Sequence, residues 1–192
     1  NYLSDNDVFY GIHAYDETLY NAGVNCDWDV TGTMRINNNV IVNQRGAGIN
    51  VGTRDNEGDI NPCWTADIEI QGNVLVNVGL GMPQENNVTN ADAIRVTGAL
   101  YPNTVTITNN TVYGYGELTS LEYSKGYAVN IDFDIAKPTI TVKNNTFIQS
   151  TKHKNLHWLN IPSDADATNN SFFNMLTNDD NGAPVLDSSI YI

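Results

Sequence analysis

The stretch VTITNNTVYG, residues 105–114, places two asparagines between two short runs of alternating apolar and polar residues. The chain writes the same arrangement again as ITVKNNTFIQ, residues 140–149. Val, Ile and Thr favour strands, whereas Asn favours the corners between them. Both stretches match the acceptor pattern for N-linked sugar, but their recurrence indicates a structural repeat.

The remaining copies of the pattern fix its period. They are MRINNNVIVN (34–43), IEIQGNVLVN (68–77), ATNNSFFN (167–174) and, with an aspartate in the asparagine position, DNDVFYG (5–11). The aligned positions are Asp7, Asn39, Asn73, Asn110, Asn145 and Asn170, at spacings of 32, 34, 37, 35 and 25 residues. A period of this size is typical of solenoids, whose units stack because none can bury its apolar face alone.

A third strand is predicted in each repeat, after a variable loop. These segments are GIHAY (11–15), GINVG (48–52), AIRVT (93–97), AVNID (128–132) and WLNIP (158–162). Strict alternation predicts that Ile49, Ile94, Val129 and Leu159 point inward. The same rule predicts two further inward stacks, Ile36, Ile70, Ile107 and Val142, and Phe9, Ile41, Leu75, Val112, Phe147 and Phe172.

This register resembles the right-handed parallel β-helix of the pectate-lyase-like superfamily, over nearly the whole chain. The resemblance implies an all-β solenoid of about six rungs with three short strands per rung, forming a single domain over residues 1–192. It also implies a ladder of stacked asparagines at one corner, formed by Asn39, Asn73, Asn110, Asn145 and Asn170. We expect such a corner to be closed to glycosylation. Because solenoids need caps, a first rung at Asn1 predicts a preceding β-helix segment or a partner chain.

Composition narrows the partners. The chain has 22 acidic and 9 basic residues, a formal net charge of -13. That charge argues against nucleic acid and anionic membranes as partners. A membrane-spanning helix needs an apolar run of about 18 residues, and the sequence contains none. Cys26 and Cys63 precede the first strand of successive rungs, which predicts a disulfide and a secreted or cell-surface location. A pair of buried free thiols is the alternative.

Two of the three predicted outer faces are assigned to structure or assembly. The first carries Arg35, Glu69, Thr106 and Thr141, which is typical of a solvated sheet. The third carries Tyr10, Val42, Val76, Tyr113, Ile148 and Phe173. Because a row of apolar side chains is rarely left in water, we expect loops or a second copy of the chain to cover it, the latter giving a homo-oligomer.

The second face is the candidate site. Its predicted outward ladder is His13, Asn50, Arg95, Asn130 and Asn160, with Tyr15 and Asp132 at the next outward position, Asp92 beside Arg95, and Trp158 with its ring facing out. Arg54 lies in one of the long loops, 53–67, 78–93 and 113–126, that border this strand. Amides and charges that bind hydroxyls, edged by aromatic rings, suit a polysaccharide groove. The alternatives are an ordinary surface histidine, an external Asn ladder and a structural Arg–Asp pair.

Three functions remain open. The resemblance implies a lyase that cuts uronic-acid polymers by β-elimination, with Arg95 or His13 as base and Asn50, Asn130 or calcium offsetting charge. Asp55, Glu57 and Asp59 are the candidate calcium ligands, although their spacing does not match an EF-hand. A glycoside hydrolase instead needs two carboxylates, here Asp132 with Asp92 or Asp16. The third function is a non-catalytic glycan-binding or surface-structural module.

Overall fold

The structure is a computed structural model of the chain. It describes residues 1–4, 10–16, 31–53, 64–79, 92–98, 102–115, 126–133, 137–149, 157–178 and 184–187. Over these ranges the regular secondary structure consists of β-strands. No helix within them is long and apolar enough to cross a membrane.

The strands form three sheets. The seven-stranded sheet contains, in order, β1 (Tyr2–Ser4), β4 (Val40–Val42), β7 (Val74–Val78), β10 (Thr111–Tyr115), β13 (Thr146–Gln149), β15 (Ser171–Asn178) and β16 (Pro184–Asp187). The five-stranded sheet contains β2 (Ile12–Asp16), β5 (Ile49–Thr53), β8 (Ile94–Gly98), β11 (Tyr127–Phe133) and β14 (His157–Asn160). The four-stranded sheet contains β3 (Thr33–Asn37), β6 (Asp67–Gln71), β9 (Thr104–Thr108) and β12 (Thr139–Lys143).

From β3 to β14 the chain visits the four-, seven- and five-stranded sheets in the same cyclic order. Every strand pair in the three sheets is parallel except the last, β15 with β16, which is antiparallel. After β14 the chain returns to the four-stranded sheet through a single parallel bridge between Thr141 and Asp166. This cyclic order is consistent with the predicted parallel β-helix.

The interior is filled from all three sheets, as the alternation predicted. Ile36, Ile70, Ile107 and Val142 are buried, and so are Ile41, Leu75, Val112, Phe147 and Phe172. From the five-stranded sheet, Ile49, Ile94 and Val129 are fully buried and Leu159 packs half-buried against them. Side chains at equivalent positions of successive strands therefore form one continuous apolar core.

The corner between the four- and seven-stranded sheets holds the asparagine ladder. It runs through Asn1, Asn39, Asn73, Asn110, Asn145 and Asn170, and each Nδ2 donates to the Oδ1 of the next member at 2.9–3.0 Å. At Asn73 the backbone N also donates to Asn110 Oδ1 at 2.9 Å, and Nδ2 also donates to Ile36 O at 2.7 Å. The interior amides thus use both their protons and their oxygen, which is what a buried amide requires.

The position before Asn39 in the ladder is taken by Asn1, since its Nδ2 donates to Asn39 Oδ1 and its carbonyl accepts from Val40 N at 2.8 Å. Asp7, which the sequence aligns with the asparagines, lies outside the described residues. Strand β1 therefore precedes the predicted one, and Leu3, opposite Ile41, takes the core position that was assigned to Phe9. The sequence does not show this role of Asn1, because the strand that precedes the asparagine in the other repeats is not part of the sequence before it.

Candidate functional site

The five-stranded sheet presents the predicted strip in register. His13 lies opposite Asn50, Asn50 opposite Arg95, Arg95 opposite Asn130, and Asn130 opposite Asn160. Parallel strands about 4.8 Å apart place these five positions in one row across the sheet. The alternation alone predicted this row.

The members of the strip differ in accessibility. His13 and Asn160 are exposed, Arg95 and Asn130 are half-buried, and Asn50 is only 4% exposed. A ligand lying along the row would therefore meet the imidazole, the guanidinium and the two amides of β11 and β14 more than it would meet Asn50.

Asp92 lies just before β8 and anchors one half of the strip. Its carboxylate is 1% exposed and accepts hydrogen bonds from Tyr127 N and Asn130 Nδ2, both at 2.8 Å. Asn130 Oδ1 in turn accepts from Asn160 Nδ2 at 2.8 Å. This chain of bonds fixes which end of the Asn130 amide faces its neighbours.

Burial decides the titration of this carboxyl. Loss of water raises the pKa of Asp92 to about 6, and the bonds from Asn130 and Tyr127, with the charge of Arg95, offset only part of that increase. Arg95 is therefore accompanied by a carboxylate that is charged at neutral pH and uncharged in mild acid.

The carboxylates predicted for hydrolysis differ in exposure. Asp132 is exposed on β11, opposite Thr97, whereas Asp92 is buried with both oxygens already accepting bonds. Of Asp16, the third candidate, only the backbone in β2 is described.

The predicted position of Tyr10 is wrong, and the residue belongs to the site. We predicted it on the outer face of the seven-stranded sheet, but Ser4 takes that position, opposite Val42. Tyr10 instead lies just before β2, half-buried, with its ring centroid 4.3 Å from that of His13 at an interplanar angle of 48°. Burial raises the pKa of the Tyr10 phenol, and the nearby charge of Arg95 partly counters this.

The expectation that the Trp158 ring faces outward is also wrong. The ring packs edge-on against Phe172, with centroids 5.2 Å apart, and lies 6.5 Å from the buried Tyr115. Trp158 aligns with the buried Ala93 and Ala128 of the neighbouring strands, so its position leads into the core at the end of the stack. Strict alternation assigns this side chain to the outer face, and it does not predict that the ring turns toward the interior.

Other predicted residues lie outside the described ranges. They are Arg54, the candidate calcium ligands Asp55, Glu57 and Asp59, and both cysteines, Cys26 and Cys63. Tyr15 is described by its backbone alone, paired with Gly52. Among the described residues no three His, Cys, Asp or Glu side chains are grouped so as to hold a metal ion.

The two other faces have the predicted character. On the four-stranded sheet Arg35 Nε lies 3.4 Å from Glu69 Oε2, and Asn37 Nδ2 donates to Glu69 Oε1 at 2.6 Å. On the seven-stranded sheet the apolar row of Val42, Val76, Tyr113, Ile148 and Phe173 is in register. Oligomerisation through that row stays a prediction.

Comparisons of this chain with models of known protein families, with curated proteins and with solved structures give no match.

Proposed function

We propose that this chain is a right-handed parallel β-helix of the pectate-lyase-like kind, secreted or held at a cell surface. Its function is to bind an acidic polysaccharide along the five-stranded sheet and cleave it by β-elimination. The observation that supports the proposal is the row in which a cation, Arg95, stands between the imidazole of His13 and the amides of Asn130 and Asn160.

β-Elimination in a uronic acid needs a base for the C5 proton and a positive group for the carboxylate attached to C5. Arg95 suits the second task better than the first, because a guanidinium keeps its proton at all working pH values and the buried Asp92 carboxylate favours its charge. His13 suits the first task, because its imidazole is exposed and imidazole is the commonest general base in enzymes. Asn130 and Asn160 then bind sugar hydroxyls.

Hydrolysis by paired carboxylates is the weaker alternative. Hydrolysis needs two carboxylates that reach the glycosidic bond. Asp92 is only 1% exposed, so Asp132 has no second accessible carboxylate among the described candidates. The net charge of -13 is an argument for the third alternative, a non-catalytic glycan-binding module, because it opposes the approach of an anionic polymer.

A substrate panel separates the three functions. Acidic and neutral polysaccharides are incubated with the protein, with and without calcium, while ultraviolet absorbance of the new C4=C5 bond and reducing ends are followed. We expect absorbance with an acidic polymer; reducing ends without absorbance would indicate hydrolysis, and binding without either would indicate a module.

Site variants then test the strip. Arg95→Ala and His13→Ala are expected to lower turnover by at least about 100-fold. Arg35→Ala, which removes an exposed cation from the four-stranded sheet, is the matched control and should keep full activity. Full activity in Arg95→Ala would place the active site elsewhere.

A further inference from the structure

We propose that Tyr10 is the general acid of this site and protonates the departing glycosidic oxygen. The assignment rests on the proposed lyase function, and it adds a residue that the row from His13 to Asn160 does not contain. Its basis is the position of the Tyr10 ring against His13, within reach of the charge of Arg95.

The backbone holds Tyr10 in this position. Gly11 N donates to Ala47 O at 3.1 Å and Ile12 N donates to Gly48 O at 2.9 Å, which docks the chain on the next rung immediately after Tyr10. A Cβ at Gly11 would come within 2.5 Å of Ile41 Cγ2 and 2.6 Å of Gly48 O. Only glycine permits this close approach of the backbone to the next rung. Tyr10, the residue before Gly11, is therefore held beside the strip.

The elimination needs two proton transfers at neighbouring places. A base removes the C5 proton, and the oxygen that leaves C4 must receive a proton because an alkoxide is a poor leaving group. His13 and Tyr10 supply an imidazole and a phenol whose rings are in contact, with centroids 4.3 Å apart. Arg95, two strands from His13 on the row, lies close enough for its charge to act on the phenol.

The protonation states suit these roles. The phenol of Tyr10 is protonated at neutral pH, because the ordinary pKa of a phenol is near 10 and burial raises the pKa of Tyr10, with Arg95 reversing only part of the change. A phenol of this kind gives up its proton only when negative charge develops on an acceptor beside it, which is the situation at the leaving oxygen.

The reaction balances without any further reactant. His13 takes the C5 proton, and the electron pair of that C–H bond forms the C4=C5 double bond through a carboxylate-stabilised carbanion beside Arg95. The C4–O4 bond breaks, its electron pair stays on O4, and Tyr10 gives O4 a proton. The resulting phenolate recovers a proton from the neighbouring imidazolium, which restores both groups.

The test compares two leaving groups in wild type and Tyr10→Phe. With the polymer, whose leaving oxygen needs a proton, Tyr10→Phe is expected to lower kcat by at least about 100-fold. With a uronate that carries fluoride at C4, which leaves without protonation, the loss is expected to be no more than a few-fold. Exchange of the C5 proton with deuterated water should persist in Tyr10→Phe.

Tyr113→Phe is the matched control, because it removes a phenol from the exposed face of the seven-stranded sheet and should change neither rate. Equal losses on the polymer and the fluoride would show that Tyr10 only supports the fold, and full polymer activity in Tyr10→Phe would remove it from the mechanism. Either result overturns the assignment while the lyase proposal stands. A wild type that eliminates neither substrate overturns both.

Discussion

At the corner between the four- and seven-stranded sheets, Asn109 and Asn110 are consecutive but differ in conformation and burial. Asn109 is exposed with φ of 57°, and Asn110 is 1% exposed in the ladder. The left-handed region is costly for most side chains and tolerated by asparagine and glycine. Gly72, with φ of 66°, takes the position of Asn109 in another repeat. The doubled asparagine therefore combines a turn residue with a stacking residue.

This division corrects the interpretation of the glycosylation patterns. The acceptor of such a pattern is its first asparagine, here Asn109 and Asn144, and both are exposed. Burial protects only Asn110 and Asn145. The expectation that the corner is closed to modification therefore does not follow from the ladder.

The ladder gives the first prediction. Asn110→Ala removes a side chain that donates to Asn145 Oδ1 and Ile70 O and accepts from Asn73, leaving several buried groups unpaired. We expect the free energy of unfolding to fall by about 3–5 kcal/mol, at about 1–3 kcal/mol for each group left unsatisfied. Urea denaturation measures the change. Asn109→Gly, at the exposed neighbour, should change stability by less than about 1 kcal/mol, and equal effects of the two substitutions would contradict the ladder's role.

The second prediction concerns Asp92. Its folded-state pKa of about 6 lies above the ordinary value near 3.9, so its contribution to stability is fully present below about pH 3.9. That contribution is lost as pH rises to about 6, by about 3 kcal/mol in all.

Asp92→Asn cannot ionise, so unfolding of the variant and of wild type should be compared at pH 4, 5 and 7. We expect the stability of the variant relative to wild type to rise by about 2 kcal/mol between pH 4 and pH 7. A difference that is independent of pH would show that Asp92 titrates normally. Asp132→Asn, at the exposed carboxylate of the same sheet, is the matched control for the substitution itself.

At the scale of strands, close packing between rungs limits what the third strand of a repeat accepts. Gly48 precedes β5, and a Cβ there would lie 2.5 Å from Leu75 Cδ2 and 3.0 Å from Ala93 O. The equivalent position is filled by the larger Trp158 only at the end of the stack, where its ring packs on Phe172. The same position of the repeat thus meets different space on different rungs.

Gly48→Ala tests this packing as the third prediction. We expect it to lower the free energy of unfolding by about 1–3 kcal/mol, because overpacking forces Leu75 to move. In a Leu75→Val background, which removes the nearest atom, the cost should shrink, and the four proteins form a double-mutant cycle. An equal cost in both backgrounds would show that the clash is not with Leu75.

For the whole molecule, the excess of 22 acidic over 9 basic residues has a measurable consequence. Raising NaCl from about 10 mM to about 150 mM shortens the screening length from about 30 Å to about 8 Å and weakens self-repulsion. We expect stability to rise by about 1 kcal/mol, a shift in Tm of about 3 °C. A Tm that is flat or falls with salt would contradict net repulsion.

Calcium is separated from screening by comparing CaCl₂ with MgCl₂ at one ionic strength. If Asp55, Glu57 and Asp59 form a calcium site, calcium alone should add to the Tm, because the two ions screen equally but differ in preferred coordination. Equal shifts with both salts would contradict a calcium site at these three residues.

The sequence by itself determined the strand register, the core stacks, the asparagine ladder from Asn39 to Asn170 and the row from His13 to Asn160. It could do so because strand periodicity and a repeated corner are local signals that recur on every rung. Three features needed the tertiary structure: Asn1 as the first ladder member, Tyr10 against His13, and Trp158 turned onto Phe172. Each depends on side-chain contacts between separate segments or beside a turn, which the two-residue periodicity of strands does not specify.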